Sequence, residues 1–514
     1  MRNDILTGTV MKLVSLIESL PNFEPHGDLD TEISGISDNS RKIIPGSLFV
    51  AIKGLTSDSH KLIPQAIKAG ATAVVGQEDL ELDVPYIQVK NSREALGHLA
   101  STLFGNPSKK LKVIGVTGTE GKTTTCDLIY HIFEAGGFKT GLISTIGAKI
   151  AEKSIDTGLH VTNPEALPLQ ELLSKMLEEG CEYAVLETTS IGLDQGRVAG
   201  VKYHTGILTN INSDHLNYHK TLEAYREAKV VMFKNIEIAV LNKDDNSFEH
   251  IKDHSHQKTK VFSYGVRENA DFKAENLESS AKGTKFDLYH NGQQIKLKTN
   301  LLGTFNVSNV LAAVATAIAH NIPFKAISIA LEGYTSPEGR LERVDEGQGF
   351  EVFVDFAHTA GAVKNVLQTL RDITPKDNRL IALYGAAGLR DAEKRPEMGM
   401  WGAKLADITI FTMDDPRTEN VDDIIDKIVS GALETDAQEM TTKELTGSEP
   451  VKQHVFIRIP DRREAIEFAI NLAKPGDIVA LLGKGHEKSL AVGNKEIPWS
   501  DQEVAIEALK LSMH

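Results

Sequence analysis

The sequence predicts an α/β protein that contains more than one module with a parallel sheet. Short apolar runs alternate with segments of helical periodicity along almost the whole chain, a pattern typical of buried parallel strands covered by helices. We find no repeat of fixed period, which excludes solenoids and propellers. The predicted strands lie at residues 47–52, 72–75, 113–116, 184–186, 205–209, 238–241, 380–383, 408–411 and 478–482.

Length and local composition divide the chain into three modules. Its 514 residues are enough for about three domains of ordinary size. Polar, proline-containing segments at residues 106–110 and 334–339 interrupt the alternation of strands and helices. We therefore predict modules at residues 1–108, 109–335 and 336–514.

Charge and cysteine content exclude several functions. The chain has 56 Lys and Arg residues against 71 Asp and Glu residues, a net charge of −15, so we expect no binding to nucleic acid or to an anionic membrane surface. The N-terminus lacks the pattern of a signal peptide, and the most apolar helical segment, residues 310–319, is too short for membrane insertion. Cys126 and Cys181 are too few for a disulfide framework, so we predict a cytoplasmic protein with two buried thiols.

Residues 113–133 predict a phosphate-binding loop, because an apolar strand, a glycine-containing turn and a helical pattern follow one another directly there. Gly118 and Gly121 allow backbone amides to approach phosphate oxygens, while Lys122 offers a positive charge and Thr123 offers a hydroxyl to magnesium. The first glycine of the strict pattern is missing, which indicates a variant loop. The nucleotide-binding residues of the loop are Thr117, Gly118, Thr119, Glu120, Gly121, Lys122, Thr123 and Thr124.

Two further residues indicate a metal site near this loop. Glu187 ends one predicted strand and His215 follows another, and open α/β sheets bind ligands at these strand ends. A carboxylate and an imidazole can share one divalent ion, whereas either residue alone could be a capping carboxylate or a core histidine. Lys229 lies on a nearby helical segment, and its spacing alone is typical of a solvent-exposed lysine.

A series of short motifs in a fixed order resembles the Mur ligase family. Within that family the likeness is to the MurE type, the UDP-N-acetylmuramoyl-tripeptide synthetases. The motifs lie at residues 39–41, 45–51, 117–124, 194–199, 224–229, 303–309, 339–342, 355–359, 390–396, 414–417 and 483–487.

The resemblance implies a three-domain Mur ligase architecture. It has an N-terminal domain that binds the UDP substrate, a central P-loop ATPase domain and a C-terminal Rossmann-like domain that binds the amino acid. The residues implied for ATP, besides the loop, are Asn306, Asn309, Arg340, Asp355 and His358. Those implied for the UDP-muramoyl-dipeptide are Ser40, Thr162, Asn163, Thr189, Gln195 and Arg197. Those implied for the amino acid are Arg390, Asp414, Asp415, Pro416, Arg417, Gly483 and Glu487.

By the same resemblance the chain is an ATP-dependent acid–amino acid ligase of peptidoglycan synthesis. ATP would convert a carboxylate of UDP-N-acetylmuramoyl-L-alanyl-D-glutamate into an acyl-phosphate, and the amine of a free diamino acid would displace the phosphate. The resemblance also implies that Lys229 is carbamylated, which requires a partly buried lysine of lowered pKa. ATP and Mg²⁺ are the expected cofactors, and no obligatory protein partner is inferred. The expected catalytic residues are Lys122, Glu187, His215, Lys229 and His358, and the expected metal ligands are Thr123, Glu187, His215 and Lys229.

Two amino acids fit the third position of the stem peptide. Arg417 and Arg390 suit the distal carboxylate of meso-diaminopimelate, and the Gly483 carbonyl with Glu487 suits its distal ammonium. Asp415 stands where ligases of that specificity usually have Asn, and a negative charge there would favour L-lysine. We predict meso-diaminopimelate, because an unpaired arginine in a closed pocket would be costly for a lysine enzyme, and L-lysine stays the alternative.

Two other functions fit part of the sequence. A folylpolyglutamate-synthetase-like ligase would share the ATPase module but is not expected to carry the motifs at 39–41 and 414–417. A catalytically weak paralogue that binds UDP-muramoyl-peptides is suggested by departures from the family pattern at Glu120, Asn163 and Ile191. The paralogue is disfavoured by the retained residues Lys122, Thr123, Glu187, His215, Lys229, Asp355 and His358.

Overall fold

The computed structural model describes residues 10–54, 57–151, 153–155, 162–212, 214, 216–447 and 454–512. The chain divides into two compact units. The first contains residues 1–271 and 312–327, and the second contains residues 272–311 and 328–514.

The first unit begins with a five-stranded sheet covered by helices. Its elements are β1 Met11–Lys12, α1 Leu13–Ile17, β2 Phe23–His26, β3 Glu32–Ile33, β4 Gly35–Ser37, β5 Ser47–Val50, α2 Ile63–Lys68, β6 Ala71–Gly76, β7 Tyr86–Val89 and α3 Ser92–Leu103. The strand order is β2-β7-β6-β5-β4, with β2 antiparallel to β7 and the other pairs parallel. Asn91 starts α3, because its side chain accepts hydrogen bonds from the N–H groups of Arg93 and Glu94.

A larger sheet follows in the same unit. Its elements are β8 Lys112–Thr117, α4 Lys122–Ala135, β9 Thr140–Ser144, β10 Gly147–Ile150, β11 Lys153–Ile155, α5 Ala166–Glu178, β12 Tyr183–Glu187, α6 Ser190–Asp194, β13 Tyr203–Leu208, α7 Leu216–His219, α8 Leu222–Val230, β14 Ile238–Asn242, α9 Phe248–His254 and β15 Lys260–Gly265. The strand order is β11-β10-β9-β12-β8-β13-β14-β15. All pairs from β9 to β15 are parallel, so β8 lies inside the sheet between β12 and β13.

The two sheets of the first unit are joined by a close backbone contact. A Cβ atom at Gly97 of α3 would lie 2.5 Å from the carbonyl oxygen of Ala199. The hydroxyl groups of Ser101 and Ser108 both donate hydrogen bonds to the carbonyl of Gly200. The N-terminal module therefore packs directly on the loop before β13, and only glycine at position 97 permits this approach.

The second unit contains a three-stranded antiparallel sheet and a seven-stranded sheet. Its elements, with the unit boundary falling within α10 and α11, are β16 Phe272–Ser280, β17 Gly283–His290, β18 Gln293–Thr299, α10 Thr304–Ala319, α11 Phe324–Gly333, β19 Glu342–Val344, β20 Glu351–Asp355, α12 Ala360–Ile373, β21 Leu380–Tyr384, α13 Lys394–Leu405, β22 Ile408–Phe411, α14 Val421–Ala432, β23 Gln438–Glu439, α15 Thr442–Gly447, β24 Val455–Arg458, α16 Arg462–Leu472, β25 Ile478–Leu482, β26 Ser489–Val492, β27 Lys495–Pro498 and α17 Asp501–Ser512. The larger sheet has the order β19-β20-β25-β21-β22-β24-β23, and only β19 is antiparallel to its neighbour.

The predicted fold class is confirmed. Each predicted apolar run coincides with a buried strand, namely β5, β6, β8, β12, β13, β14, β21, β22 and β25. The first compact unit combines the first predicted module with much of the second. The module boundaries at residues 108 and 335 stay predictions.

Both cysteines are buried, as the sequence predicts, and burial raises the pKa of the Cys126 and Cys181 thiols. Within the described part of the chain, the helices are all too short or too polar to span a membrane.

Candidate active site

The loop between β8 and α4 is held in shape by the residues that follow β13. The N–H of Thr119 donates to the Asn210 carbonyl at 2.8 Å, and the N–H of Glu120 donates to the Asn210 side chain at 3.0 Å. The Thr209 hydroxyl donates to the Glu120 carbonyl at 2.6 Å. A Cβ atom at Gly118 would lie 1.8 Å from that hydroxyl oxygen, so the loop requires glycine there. The segment after β13 therefore fixes the shape of the loop.

Lys122 combines two features that favour phosphate. It is the first residue of α4, so the unpaired N–H groups of the helix start at this loop. Its Nζ donates to the carbonyl oxygens of Gly118 and Thr119 at 3.2 and 2.8 Å. The positive charge therefore lies over the loop, and phosphate binding there stays a prediction.

Glu187 is a buried carboxylate at the end of β12, where the sequence predicts it. Its side chain is 1% exposed. The Thr123 hydroxyl donates to both carboxylate oxygens at 3.1 Å, and Thr145 donates its N–H and its hydroxyl to them at 2.9 and 3.0 Å. Thr162 contacts the Thr145 hydroxyl at 2.9 Å. The predicted partner His215 lies outside the described residues.

Lys229 is buried against the same loop. It is 1% exposed, and its Nζ donates to the Gly118 carbonyl at 2.9 Å while lying 4.3 Å from the centre of the Tyr225 ring. Burial, reinforced by the nearby charge of Lys122, holds the pKa of Lys229 well below its ordinary value of 10.5. The interpretation of Lys229 as a solvent-exposed lysine is wrong, because α8 turns this residue toward the loop. The expectation of a buried lysine with a lowered pKa is confirmed.

Asn163 organises the predicted dipeptide-binding residues beside Glu187. It is 2% exposed, and its Nδ2 donates to the Glu187 carbonyl at 2.7 Å. Its Oδ1 accepts from the N–H and the hydroxyl of Thr189 at 2.9 and 2.8 Å. Arg197 donates to the Asn163 carbonyl at 3.1 Å and to the Gln195 side chain at 3.1 Å. The structure brings these four predicted residues together and uses the amide of Asn163 for internal hydrogen bonds.

Asp355 marks the end of β20 in the second unit. Its two carboxylate oxygens accept hydrogen bonds from the N–H groups of Leu341 and Ala357 at 2.7 and 2.8 Å. Burial raises the pKa of this carboxyl, although the charge of Arg340 opposes the shift. Asp355 therefore joins the segment before β19 to the segment after β20.

Arg340 and His358 both pack on Phe356. The Arg340 guanidinium lies 4.9 Å from the centre of the Phe356 ring, and the His358 ring lies 4.5 Å from it. Arg340 and His358, two of the three residues expected to reach ATP from the C-terminal module, thus pack on the same aromatic ring.

The remaining predicted nucleotide and UDP residues lie in two places. Asn306 donates to the Leu302 carbonyl at 2.9 Å, and Asn309 donates to the Asn306 side chain at 3.0 Å. Ser40 is buried in the short 3₁₀ turn Ser40–Lys42 of the N-terminal module.

Two of the predicted amino-acid residues, Asp415 and Glu487, contact a lysine that was not predicted from the sequence. Lys484 lies 2.8 Å from the Asp415 carboxylate and 2.6 Å from the Glu487 carboxylate. Arg417 donates to the Gly388 carbonyl at 2.7 Å, and its nearest Asp415 oxygen is 3.9 Å away. Asp415 therefore pairs primarily with Lys484 and not with Arg417.

The other members of this group have distinct surroundings. Asp414 is buried, and burial raises the pKa of its carboxyl against the charges of Arg462 and Lys484. The N–H of Gly483 donates to the Asp355 carbonyl at 3.0 Å. Pro416 is buried, whereas Arg390 is exposed.

Several contributing residues were not found from the sequence. Asn210 directly follows a predicted strand, and that position is the signal that could have found it. Tyr225, whose hydroxyl lies 3.1 Å from the Thr119 hydroxyl, precedes Lys229 by one helical turn. His486 packs at 5.0 Å from Phe356, and burial lowers its pKa to about 3, so it is neutral near pH 7.

A nucleotide loop beside a buried carboxylate and a buried lysine, in an α/β chain, defines the class of phosphate-transferring ATPases and ligases. Sequence patterns of three domains match this chain: the Mur ligase family catalytic domain at residues 32–103, the Mur ligase middle domain at 116–317, and the Mur ligase glutamate ligase domain at 339–485. The chain belongs to the Mur ligase family.

Its relatives and a solved structure cover nearly its whole length. Proteins of Geobacillus thermodenitrificans (strain NG80-2) and Geobacillus kaustophilus (strain HTA426), both named UDP-N-acetylmuramoyl-L-alanyl-D-glutamate--2,6-diaminopimelate ligase, are 37% and 38% identical over 509 residues, which is 97% of this chain and 99% of theirs. A solved structure of a ligase with the same name has a TM-score of 0.70 and 28% identity, and covers 98% of this chain and 100% of its own.

Proposed function

We propose that this chain is an ATP-dependent ligase that joins meso-diaminopimelate to UDP-N-acetylmuramoyl-L-alanyl-D-glutamate during peptidoglycan synthesis. The observation that carries the proposal is the buried arrangement of Glu187, Thr123 and Lys229 on the phosphate loop. The near full-length similarity to ligases named for this reaction supports it.

The reaction has two steps, because a carboxylate does not react with an amine directly. A carboxylate oxygen of the dipeptide attacks the γ-phosphorus of ATP, and the bond from that phosphorus to the ADP oxygen breaks. The neutral amine of the diamino acid then attacks the acyl carbon, phosphate leaves, and the nitrogen loses a proton. Lys122 and the N–H groups at the start of α4 stabilise the charge on the transferring phosphoryl group.

Glu187 and Thr123 fit a magnesium site. Their carboxylate and hydroxyl oxygens are hard ligands, and they already lie 3.1 Å apart. Bound there, Mg²⁺ would neutralise negative charge on the phosphates. Thr145 holds the Glu187 carboxylate in position through its N–H and its hydroxyl.

Lys229 is suited to carbamylation. Its lowered pKa leaves a larger neutral fraction, and a neutral amine can attack CO₂. A nitrogen–carbon bond forms, one proton is released, and the product is a carbamate with a negative charge. This change would convert a buried cation into an anionic oxygen ligand beside the loop.

The alternative functions account for less of the chain. A folylpolyglutamate-synthetase-like ligase was expected to lack the N-terminal module, whereas a Mur ligase pattern matches residues 32–103. A catalytically weak paralogue would be expected to lose some of the residues expected to act at the loop. This chain keeps Lys122, Thr123, Glu187 and Lys229, and each makes regular hydrogen bonds there.

The test is phosphate release by the purified protein. We expect release in the presence of ATP, magnesium, UDP-N-acetylmuramoyl-L-alanyl-D-glutamate and meso-diaminopimelate, with a product heavier by one diaminopimelate residue in mass spectrometry. Omission of any one component should stop it. No release with meso-diaminopimelate or with L-lysine would contradict the proposed function.

A further inference from the structure

Lys484 is a buried cation held by acidic side chains. It is 1% exposed, and its Nζ contacts Asp415 and Glu487. One oxygen from each of Asp414, Asp415 and Glu487 lies within 4.8 Å of the others. Burial alone would lower the pKa of Lys484, but these carboxylates raise it, so the side chain is a stable ammonium.

The cluster of Lys484 with Asp414, Asp415 and Glu487 lies at the carboxyl ends of two strands in the larger sheet of the second unit. Asp414 and Asp415 follow β22, and Lys484 and Glu487 follow β25. Both strands are parallel members of the same sheet, and ligands of such sheets bind at the carboxyl ends of the strands. Lys484 therefore connects the segments that follow these two strands.

Asp415 is committed to this cluster by two contacts. Its Oδ1 accepts from Lys484 at 2.8 Å and from the N–H of Ala491 at 2.9 Å. These contacts fix the carboxylate and place an ammonium, which it shares with Glu487, against its negative charge. Asp415 consequently pairs more closely with Lys484 than with Arg417, whose guanidinium nitrogen is 3.9 Å from its carboxylate.

The backbone of Arg417 is also fixed. Its φ is +52°, in the left-handed region. The N–H of Arg417 donates to the Ala491 carbonyl at 2.9 Å, and the carbonyl of Arg417 accepts from the N–H of Gly493. With the part of the chain that the structure describes, the Arg417 side chain makes one hydrogen bond, to the Gly388 carbonyl. The remaining guanidinium N–H groups suit a planar carboxylate.

We propose that Lys484 determines the amino-acid specificity by neutralising Asp415, which keeps Arg417 available for the distal carboxylate of a diamino dicarboxylic acid. This inference rests on the proposed ligase function. Without Lys484, the Asp415 carboxylate would repel that carboxylate and compete for Arg417. A diamino acid that lacks a distal carboxylate, such as L-lysine, would not suffer this repulsion.

The experiment compares Lys484→Met, Asp415→Asn and the double variant in steady-state assays. Lys484→Met should raise KM for meso-diaminopimelate about tenfold or more, while KM for ATP and KM for L-lysine change much less. Adding Asp415→Asn should restore most of the affinity for meso-diaminopimelate, because the unbalanced charge is gone. Lys488→Met is the control, since Lys488 is exposed and pairs with Glu338.

Two results would overturn the inference. One is a KM for meso-diaminopimelate that is as high in the double variant as in Lys484→Met. The other is an equal rise in KM for meso-diaminopimelate and L-lysine in Lys484→Met, together with a higher KM for ATP. If Lys484→Met fails to fold, Asp415→Asn is compared with the double variant, and a difference above about threefold in KM for meso-diaminopimelate refutes the inference. A wild-type protein inactive with both amino acids would instead reject the ligase function.

Discussion

The side-chain nitrogen of Lys229 donates a hydrogen bond to the carbonyl of Gly118 across 2.9 Å. Helix α8 thus reaches the loop between β8 and α4 through a buried amine, and any change of charge at Lys229 occurs directly beside that loop.

Lys229→Ala should abolish ligase activity, and millimolar acetate or formate should restore part of it. The small carboxylate can occupy the position that a carbamate would fill, because alanine leaves space there. Phosphate release with and without the added acid measures the effect, and Lys234→Ala, an exposed lysine just beyond α8, is the control. Full activity of Lys229→Ala without any addition would remove Lys229 from the mechanism.

Lys122→Ala should lower kcat by about 100- to 1000-fold, because a positive charge near the transferring phosphoryl group is lost. The side chain is only half-buried and contacts loop carbonyls, so the melting temperature should change little. Phosphate release and thermal unfolding are measured together, with the exposed Lys110→Ala as the control. Retained turnover would show that the loop does not bind ATP productively.

Asn163→Ala should destabilise the protein by about 1–3 kcal/mol, because the buried N–H of Thr189 and the carbonyl of Glu187 lose their partner. Urea unfolding of the wild type and the variant gives the difference. Asn163→Asp is informative beside it, since aspartate keeps the acceptor for Thr189 and removes the donor to Glu187. If neither variant changes the midpoint of unfolding, the hydrogen bonds of Asn163 do not contribute to stability.

His320 should make the wild type sensitive to acid. Burial lowers the pKa of this histidine from its ordinary value of 6.5 to about 3, and its Nε2 contacts the Thr205 hydroxyl at 2.8 Å. The folded state therefore binds fewer protons than the unfolded state between these two values. The contribution of His320 to the free energy of unfolding is fully present above pH 6.5. It falls as the pH decreases toward 3, by about 1 kcal/mol per pH unit.

The His320→Gln variant tests this pH dependence, since glutamine can still contact Thr205 but does not titrate. Chemical unfolding at a series of pH values should give a shallower decrease for the variant across this window. Parallel curves for the two proteins would mean that other groups cause the loss.

The sequence predicts those parts of the fold in which local pattern and burial coincide. Strands such as β8 and β25 are buried on both faces, so each is a continuous apolar run. Strands β17 and β18 were missed because they pair charged residues, including Lys285 with Lys298 and Asp287 with Lys296, and have no such run.

The site was predictable where chain position alone determines it. Glu187 was found because it ends an apolar strand, and the loop was found because strand, turn and helix are consecutive. The burial of Lys229 depends on how α8 packs, and the pairing of Lys484 joins residues 69 positions apart. Neither is encoded in local spacing.

The burial of both cysteines has a practical consequence for measurements. Cys126 and Cys181 are sheltered from solvent, and their raised pKa values leave almost no thiolate at neutral pH. Maleimide dyes should therefore react slowly with the wild-type chain. A single cysteine introduced at an exposed position, such as Lys376→Cys, could be labelled selectively without first removing the native thiols.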